Sequence, residues 1–311
     1  MKNKDFFHKY INYTVTEKPT GAVLCITSQC NLKCTHCFND SGNNTDCISD
    51  EKWLALIDDL LDFGVSQINF SGGEPLIKKD LLIQCIEKIS AFPKVVIGIT
   101  TNCCYFNKEF SELLGSIKNQ VHMQLSLDGH TTEINHITRN DFAVYDSVIN
   151  TIKLCESKEN MYIQITHIVN KKTVPFINNF LEFISKFKID MVLIGPVLSI
   201  GRAARQNDFT LTDEEGLEIV REVLKLKEIY KNKFSLVAGS PGKLYDLVTY
   251  LSTSPDWLVV DFLGNVKLSV KYPYIIDNVF ESGVRKSWNS LIVKQKEDYY
   301  IEDMIENLLI T

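Results

Sequence analysis

Residues 21–39 read GAVLCITSQCNLKCTHCFN, an apolar run that gives way to three thiols, Cys30, Cys34 and Cys37. The run "GAVLCIT" is short, uncharged and rich in apolar side chains, the pattern of a strand buried on both faces. Three cysteines are an odd set. Disulfide frameworks use them in pairs, and a closed structural zinc site needs four ligands. Either His36 or a distant residue completes a zinc site, or the three thiolates hold three irons of a 4Fe-4S cluster whose fourth iron stays open to a small molecule. His36 flanks Cys37 too closely to make a comfortable fourth tetrahedral ligand.

Outward from this stretch, five more runs repeat the first: "VSQINFSGG", "KVVIGITTN", "VHMQLSLDG", "MYIQITHIVN" and "IDMVLIGPV". Between them lie segments such as "SDEKWLALIDDLLDFG" and "TVPFINNFLEFISKFK", whose apolar residues recur at threes and fours as in amphipathic helices. The first is expected to be capped by Ser49 and closed by Gly64. Six alternations of strand and helix predict an α/β fold: a parallel sheet with right-handed crossovers, curled into a partial (β/α)6 TIM-like barrel over 21–200. Residues 1–20 form an N-terminal extension. Residues 201–311 are expected as a small α+β cap: a helix over 212–231, a loop with Gly239, Pro241 and Gly242, a strand pair turning at Gly264-Asn265, and a last helix over 287–309.

The chain has 311 residues, 45% of them hydrophobic, enough for one large α/β domain or two ordinary ones with a proper core. No segment has the length of uncharged apolar sequence that a signal peptide or membrane span requires, so a cytoplasmic protein is expected. A net charge of -6 with dispersed lysines argues against nucleic acid. All nine cysteines fall within the first 155 residues, whereas a disulfide scaffold would spread them over the fold.

In parallel α/β folds the reactive groups gather at the carboxyl ends of the strands. The cysteines follow the first strand, and "FSGGEP" ends the second. There Gly72 and Gly73 let backbone approach a ligand closely, and Glu74 offers a carboxylate to an ammonium group. Asn102 ends the third strand, Ser126 and Asp128 lie at the end of the fourth, and Arg139 follows with a fork suited to a carboxylate. Cys103 and Cys104, after "TTN", are expected mainly as packing residues, with hydrogen-atom donation to a substrate radical as the alternative. His167 is expected to face the lumen.

C-x3-C-x2-C after the first strand with GGEP after the second resembles the radical S-adenosylmethionine enzymes. "SLDG", Arg139 and the Gly201-Arg202-Ala203 triplet resemble the branch of SPASM-type peptide-modifying maturases. The resemblance implies that Cys30, Cys34 and Cys37 bind one 4Fe-4S cluster and that S-adenosyl-L-methionine chelates its open iron. His36 would border the adenine, Ser71, Gly72, Gly73 and Glu74 would hold the methionine amino group, and Asn102, Ser126 and Arg139 would complete the cofactor site. Reductive cleavage would give a 5'-deoxyadenosyl radical that abstracts hydrogen from substrate, with a flavodoxin or ferredoxin as electron donor.

The chain departs from that branch in having no cysteine after Cys155, so the cap is expected to be a degenerate SPASM-like domain without an auxiliary cluster. The N-terminal extension of some twenty residues is expected to be too short for a folded leader-recognition module, and a separate protein is the expected alternative for that role. The leading expectation is a radical enzyme that cross-links, epimerises or otherwise functionalises a ribosomally made peptide. The competing readings are the same chemistry on a small molecule (sugar, nucleoside or tetrapyrrole) and a catalytically silent relative that binds a cluster or a partner.

Overall fold

The computed structural model describes residues 16–42, 46–206, 208–243, 246 and 255–296. Seven strands run parallel and lie side by side in chain order: β1 (Gly21–Thr27), β2 (Gln67–Gly72), β3 (Val96–Thr101), β4 (Val121–Ser126), β5 (Met161–Val169), β6 (Met191–Pro196) and β7 (Ser235–Ala238). The connecting helices are α1 (Asp50–Phe63), α2 (Lys79–Ser90), α3 (Lys108–Ser116), the pair α4 (Thr132–Arg139) and α5 (Ala143–Cys155), α6 (Ile177–Ile184) and α7 (Asp213–Tyr230).

The two faces of the sheet differ. On β4, Val121, Met123 and Leu125 are fully buried in one apolar core with Leu114, Val148 and Ile152 of the helices, whereas His122, Gln124 and Ser126 on the opposite face are only partly covered. Side chains alternate along a strand, so one face carries the helices and the other is the concave, solvent-reached interior. His167 belongs to the helix side, contrary to expectation. It shares parity with Ile163 and Ile165 and stacks on Phe180 of α6, with ring centroids 3.9 Å apart.

The sheet is longer than the six strands expected and does not close. β7 extends one edge. At the other, β8 (Trp257–Val260) pairs parallel to β1, followed by β9 (Asn265–Lys267) and β10 (Ile275–Asn278), both antiparallel. β7 has only four residues, too few to show a period of two between a long helix and Gly239.

The hairpin expected at Gly264-Asn265 is the β8–β9 connection. Asp261 accepts bonds from the amides of Leu263 and Asn265 there, and Gly264 takes the left-handed φ of 82° that the turn demands. Two more helices, α8 (Val279–Ser282) and α9 (Val284–Lys296), cover this extension, and Phe280 meets Trp53 of α1 edge to face at 5.4 Å. The last helix thus begins three residues earlier than expected, and its expected continuation over 297–309 lies outside the described residues, as do residues 1–15 of the N-terminal extension.

Local capping follows the sequence with one exception. Thr212 and Glu215 form a reciprocal capping box on α7, and Gly64 ends α1 at φ 82°. Ser49 occupies the N-cap of α1, but its side chain makes no capping bond there.

Candidate functional site

The three cysteines sit on the loop that leaves β1 at the carboxyl edge of the sheet. Cys30 and Cys37 are half-buried and Cys34 is 8% exposed. The loop is held by backbone from several elements. Gly73 and Glu74 donate their amides to the carbonyls of Thr27 and Gln29, both at 2.8 Å, and the Thr35 amide donates to Thr138 O at the end of α4. Asn140 adds side-chain bonds to Lys33 O and Thr35 Oγ1.

These bonds explain the glycines of GGEP. A Cβ on Gly72 would stand 2.2 Å from Thr27 O, and one on Gly73 would stand 2.1 Å from Gln29 O. The close approach these glycines permit is that of the cysteine loop itself. Ser71, on the interior face of β2, is half-buried beside them.

Two nitrogen donors from distant elements reach the sulphurs. Asn102 Nδ2 lies 3.8 Å from Cys30 Sγ while also donating to Asn31 Oδ1, and Arg139 Nη1 lies 4.0 Å from Cys34 Sγ. Burial pushes the Cys30 thiol up to about 11 and raises that of Cys34 too, where the nearby Arg139 guanidinium pulls the other way. Donors aimed at thiol sulphurs favour the thiolate that a metal requires, and an iron centre supplies the positive charge that offsets the cost of burial. The donor set therefore fits an iron–sulfur cluster. Among the described residues, no three His, Cys, Asp or Glu side chains are gathered as ligands of a single ion.

Glu74 is 1% exposed. Its Oε1 accepts bonds from Leu76 N and Thr101 Oγ1, and its Oε2 from Asn102 N at 2.7 Å, knitting the end of β2 to the end of β3. Burial raises its carboxyl to about 7 against those three donors. Each oxygen has two lone pairs, so Oε2 keeps capacity for one further donor.

Around Cys34 lies a second buried group. Asp128, fully buried, accepts from Ile168 N through Oδ1 and pairs with Arg139 Nε at 2.6 Å through Oδ2. Burial, the largest single influence, would raise the Asp128 carboxyl, but the Arg139 guanidinium together with His36, His167 and the Ile168 amide holds the group below the ordinary carboxylate range. Asp128 does not cap the next helix, since Thr131 does that for α4, and Arg139 is 7% exposed rather than at the surface. Arg139 Nη2 makes no bond among the described residues and remains available to a ligand.

His36 Nε2 stands 3.6 Å from Asp128 Oδ2, too far for a hydrogen bond. Burial lowers the ring to about 4, so the imidazole is neutral near pH 7. Ser126 ends β4 on the interior face, level with Thr166.

Cys103 and Cys104 part company. Cys103 takes a φ of 70°, which favours glycine, and is 1% exposed in the core, its thiol raised well above the ordinary value by burial. Cys104 is half-buried, with its amide on Asn102 Oδ1.

The Gly201-Arg202-Ala203 triplet has a role that its sequence did not reveal. Arg202 donates through Nε to Asp40 Oδ1, through Nη1 to Cys34 O and through Nη2 to Ser41 O, at 2.8 to 2.9 Å, while its amide donates to Cys37 O. Gly201, at φ 58°, lets the chain pass where a Cβ would stand 2.2 Å from Phe38 O. Arg202 is a clamp on the cysteine loop, and no local signal could have found it, because the partners are some 160 residues away.

With this geometry in view, the comparisons agree on one family. Residues 24–168 match the model of the radical SAM superfamily. This part of the chain is a radical SAM domain. The Fe-coproporphyrin III synthase of Methanosarcina barkeri is 27% identical over 220 residues, 69% of this chain and 53% of the relative. The sporulation killing factor maturation protein SkfB of Bacillus subtilis is 27% identical over 208 residues, 67% of this chain and 49% of the relative. The chain thus spans about half the length of these curated relatives. Streptococcus suis SuiB, solved with S-adenosylmethionine, superposes with a TM-score of 0.69 at 18% identity over 91% of this chain and 68% of SuiB, which shows the shared fold. SuiB has also been solved with its precursor peptide SuiA. Among the described residues, no helix is long and apolar enough to cross a membrane.

Proposed function

We propose that the chain is a cytoplasmic radical S-adenosylmethionine enzyme that modifies a ribosomally made peptide by cross-linking, epimerisation or another C–H functionalisation. The observation that carries this reading is the convergence of Asn102 and Arg139 on the sulphurs of Cys30 and Cys34, within a loop clamped at every side. A packing cysteine needs no such donors; a thiolate ligand does. Cys30, Cys34 and Cys37 would hold one 4Fe-4S cluster. Bound there, it would supply the electron that cleaves S-adenosyl-L-methionine to the 5'-deoxyadenosyl radical.

The chain's own residues bind, orient and shield. The spare lone pair of Glu74 Oε2, with Ser71, Gly72 and Gly73 beside it, would accept the methionine ammonium. Arg139 Nη2 would take the carboxylate while Asp128 keeps the guanidinium in place. His36, Ser126 and Asn102 would border the nucleoside, with His36 neutral and its Nδ1 buried without a partner among the described residues. Cys104, near the mouth, would be the candidate hydrogen donor in preference to the core-bound Cys103.

A flavodoxin or ferredoxin would deliver the electron, and a separate protein would recognise the leader segment. The maturation protein SkfB and the SuiB complex with a precursor peptide support the peptide class, whereas the Fe-coproporphyrin III synthase favours a small molecule as the second reading.

The test is anaerobic reconstitution followed by incubation with S-adenosylmethionine, reductant and the precursor peptides encoded beside the gene. About four irons per chain and a mass change in one peptide are expected. Abundant 5'-deoxyadenosine with every peptide unaltered refutes the peptide substrate. Cys34→Ala is expected to abolish both cluster binding and cleavage; retention of both would sink the assignment.

A further inference from the structure

The interior face of the sheet has a composition of its own. Residues paired across a parallel register point to the same side, so the rows crossing the concave face can be read from the pairing. From β2 through β7 those rows carry no Asp, Glu, Lys or Arg among the described residues. Their polar groups are neutral amides and hydroxyls, chiefly Asn69, Thr100, Gln124, Gln164 and Thr166. His122 joins them, its ring lowered by burial and bonded to Gln164 Oε1 at 3.1 Å. Gln124 makes no hydrogen bond among the described residues, and its half-exposed amide stands at the middle of the wall.

At the β8–β9 edge this neutrality ends, with Lys267 on β9 and Asp261 just past β8. Val23 of β1 pairs with Val259 of β8, and Val259 pairs with Lys267 of β9, which brings Lys267 to the same face and the same row as Asn69 and His122. Its ammonium is half-buried near Cys25 and makes no hydrogen bond or ion pair among the described residues. Asp261, the nearest acid to act on it, is already bonded to the amides of Leu263 and Asn265 and to Asn265 Nδ2. Asp261 offsets part of the desolvation of this ammonium, which makes no direct ion pair among the described residues and so keeps donors for a further acid.

We propose that this face takes an uncharged polar stretch of peptide bearing a single carboxylate, with Gln124 and Asn69 bonding the peptide backbone and Lys267 pairing the acid. The inference rests on the radical enzyme reading above and narrows its substrate. A primary amide offers a donor and an acceptor together, the complement of a peptide unit. A nucleoside triphosphate needs several cations or a forked arginine, and one lysine among neutral amides does not provide them.

The experiment selects from an mRNA-displayed library of random peptides on the reconstituted, S-adenosylmethionine-loaded protein, with wild type, Lys267→Gln and Lys267→Glu in parallel. Wild type is expected to enrich peptides with one Asp or Glu inside an uncharged run by about tenfold, the scale of one charge-assisted hydrogen bond. Lys267→Gln should lose that preference and Lys267→Glu should replace it with Lys or Arg at the same place. Gln124→Leu should weaken all selected peptides while leaving the charge preference intact. The proposal is overturned by no acidic preference in wild type, by the same preference in all three proteins, or by GTP binding wild type more tightly than any selected peptide. Iron and S-adenosylmethionine are measured on each preparation. Their absence would sink the function proposed above, whereas a fully loaded protein with a selection indifferent to Lys267 would sink this inference alone.

Discussion

Replacing Arg202 with alanine should release the cysteine loop while leaving the barrel folded. The side chain is 15% exposed and makes three bonds: to the Asp40 carboxylate, 28% exposed, and to the carbonyls of Cys34 and Ser41. Hydrogen bonds to charged groups are worth about 1.5–3 kcal/mol when buried, and partial exposure reduces each of these to roughly 1 kcal/mol, or about 3 kcal/mol for the set. The backbone bond from Arg202 N to Cys37 O survives the change. Since 1.4 kcal/mol is tenfold, local opening of residues 30–42 should become about 100-fold more frequent. Amide hydrogen exchange on the cluster-free protein reads this directly, and the rate of iron loss to a chelator reads it on the loaded one. The urea midpoint should barely move, because the rim opens without the core. Arg202→Lys, a point charge without the fork, should fall between the two. Exchange in 30–42 within twofold of wild type would refute the clamp.

Glu74 gives a pH signature. Its folded carboxyl, at about 7, lies above the ordinary 4.5, so the folded state holds the proton more tightly and its contribution to stability falls as pH rises from about 4.5 to 7. His36 and His167, both lowered to about 4 by burial, work the opposite way, losing stability as pH falls from 6.5 toward 4, so the difference between wild type and Glu74→Gln is the quantity to follow. Relative to the variant, wild type should weaken between pH 5 and pH 8 in urea titrations of cluster-free protein; a flat difference refutes the raised carboxyl. Asp128→Asn strands the buried Arg139 charge and should cost about 3–5 kcal/mol by urea unfolding, most of it recovered in the double variant with Arg139→Met. A single-variant cost under about 1 kcal/mol would show the pair to be solvated. Gly73→Ala puts a Cβ 2.1 Å from Gln29 O, where only backbone movement relieves it, and should reduce iron bound per chain; full occupancy refutes the contact.

Much of the barrel was legible because the chain repeats one physical solution: a short run rich in branched apolar residues, then an amphipathic helix. β7 was not, since "SLVA" is too short to display a period. The side on which His167 lies was legible in retrospect. In "QITHIV" the polar Gln164 and Thr166 mark one face, and His167 alternates with them onto the other, beside Ile163 and Ile165. At the rim, residue types were readable and partners were not. Asp128 and Arg139 were each picked out on the rim, but neither was assigned to the other, and the ion pair between them appears only when α4 folds back over the end of β4. The Gly201-Arg202-Ala203 triplet stood out as a motif, yet its meaning lies in Cys34, Cys37, Asp40 and Ser41, which only the sheet brings within reach.

Those long-range partners share a logic. Thiols pushed up by burial resist ionising together, so a loop that relied on its ligand for order would have to bear both the cost of deprotonation and the cost of ordering at the moment of loading. Here the ordering is done beforehand by groups that are not ligands: the amides of Gly73 and Glu74 from β2, Asn102 from β3, Thr138 and Asn140 from the end of α4, and Arg202 beyond β6. Each tether comes from a different unit of the sheet, and each holds the loop by its backbone, a side-chain oxygen or a sulphur. Loss of one tether should therefore loosen the loop locally, whereas loss of the parallel register would remove all of them together. That separation is why the clamp variants are expected to alter exchange and iron retention long before they alter unfolding.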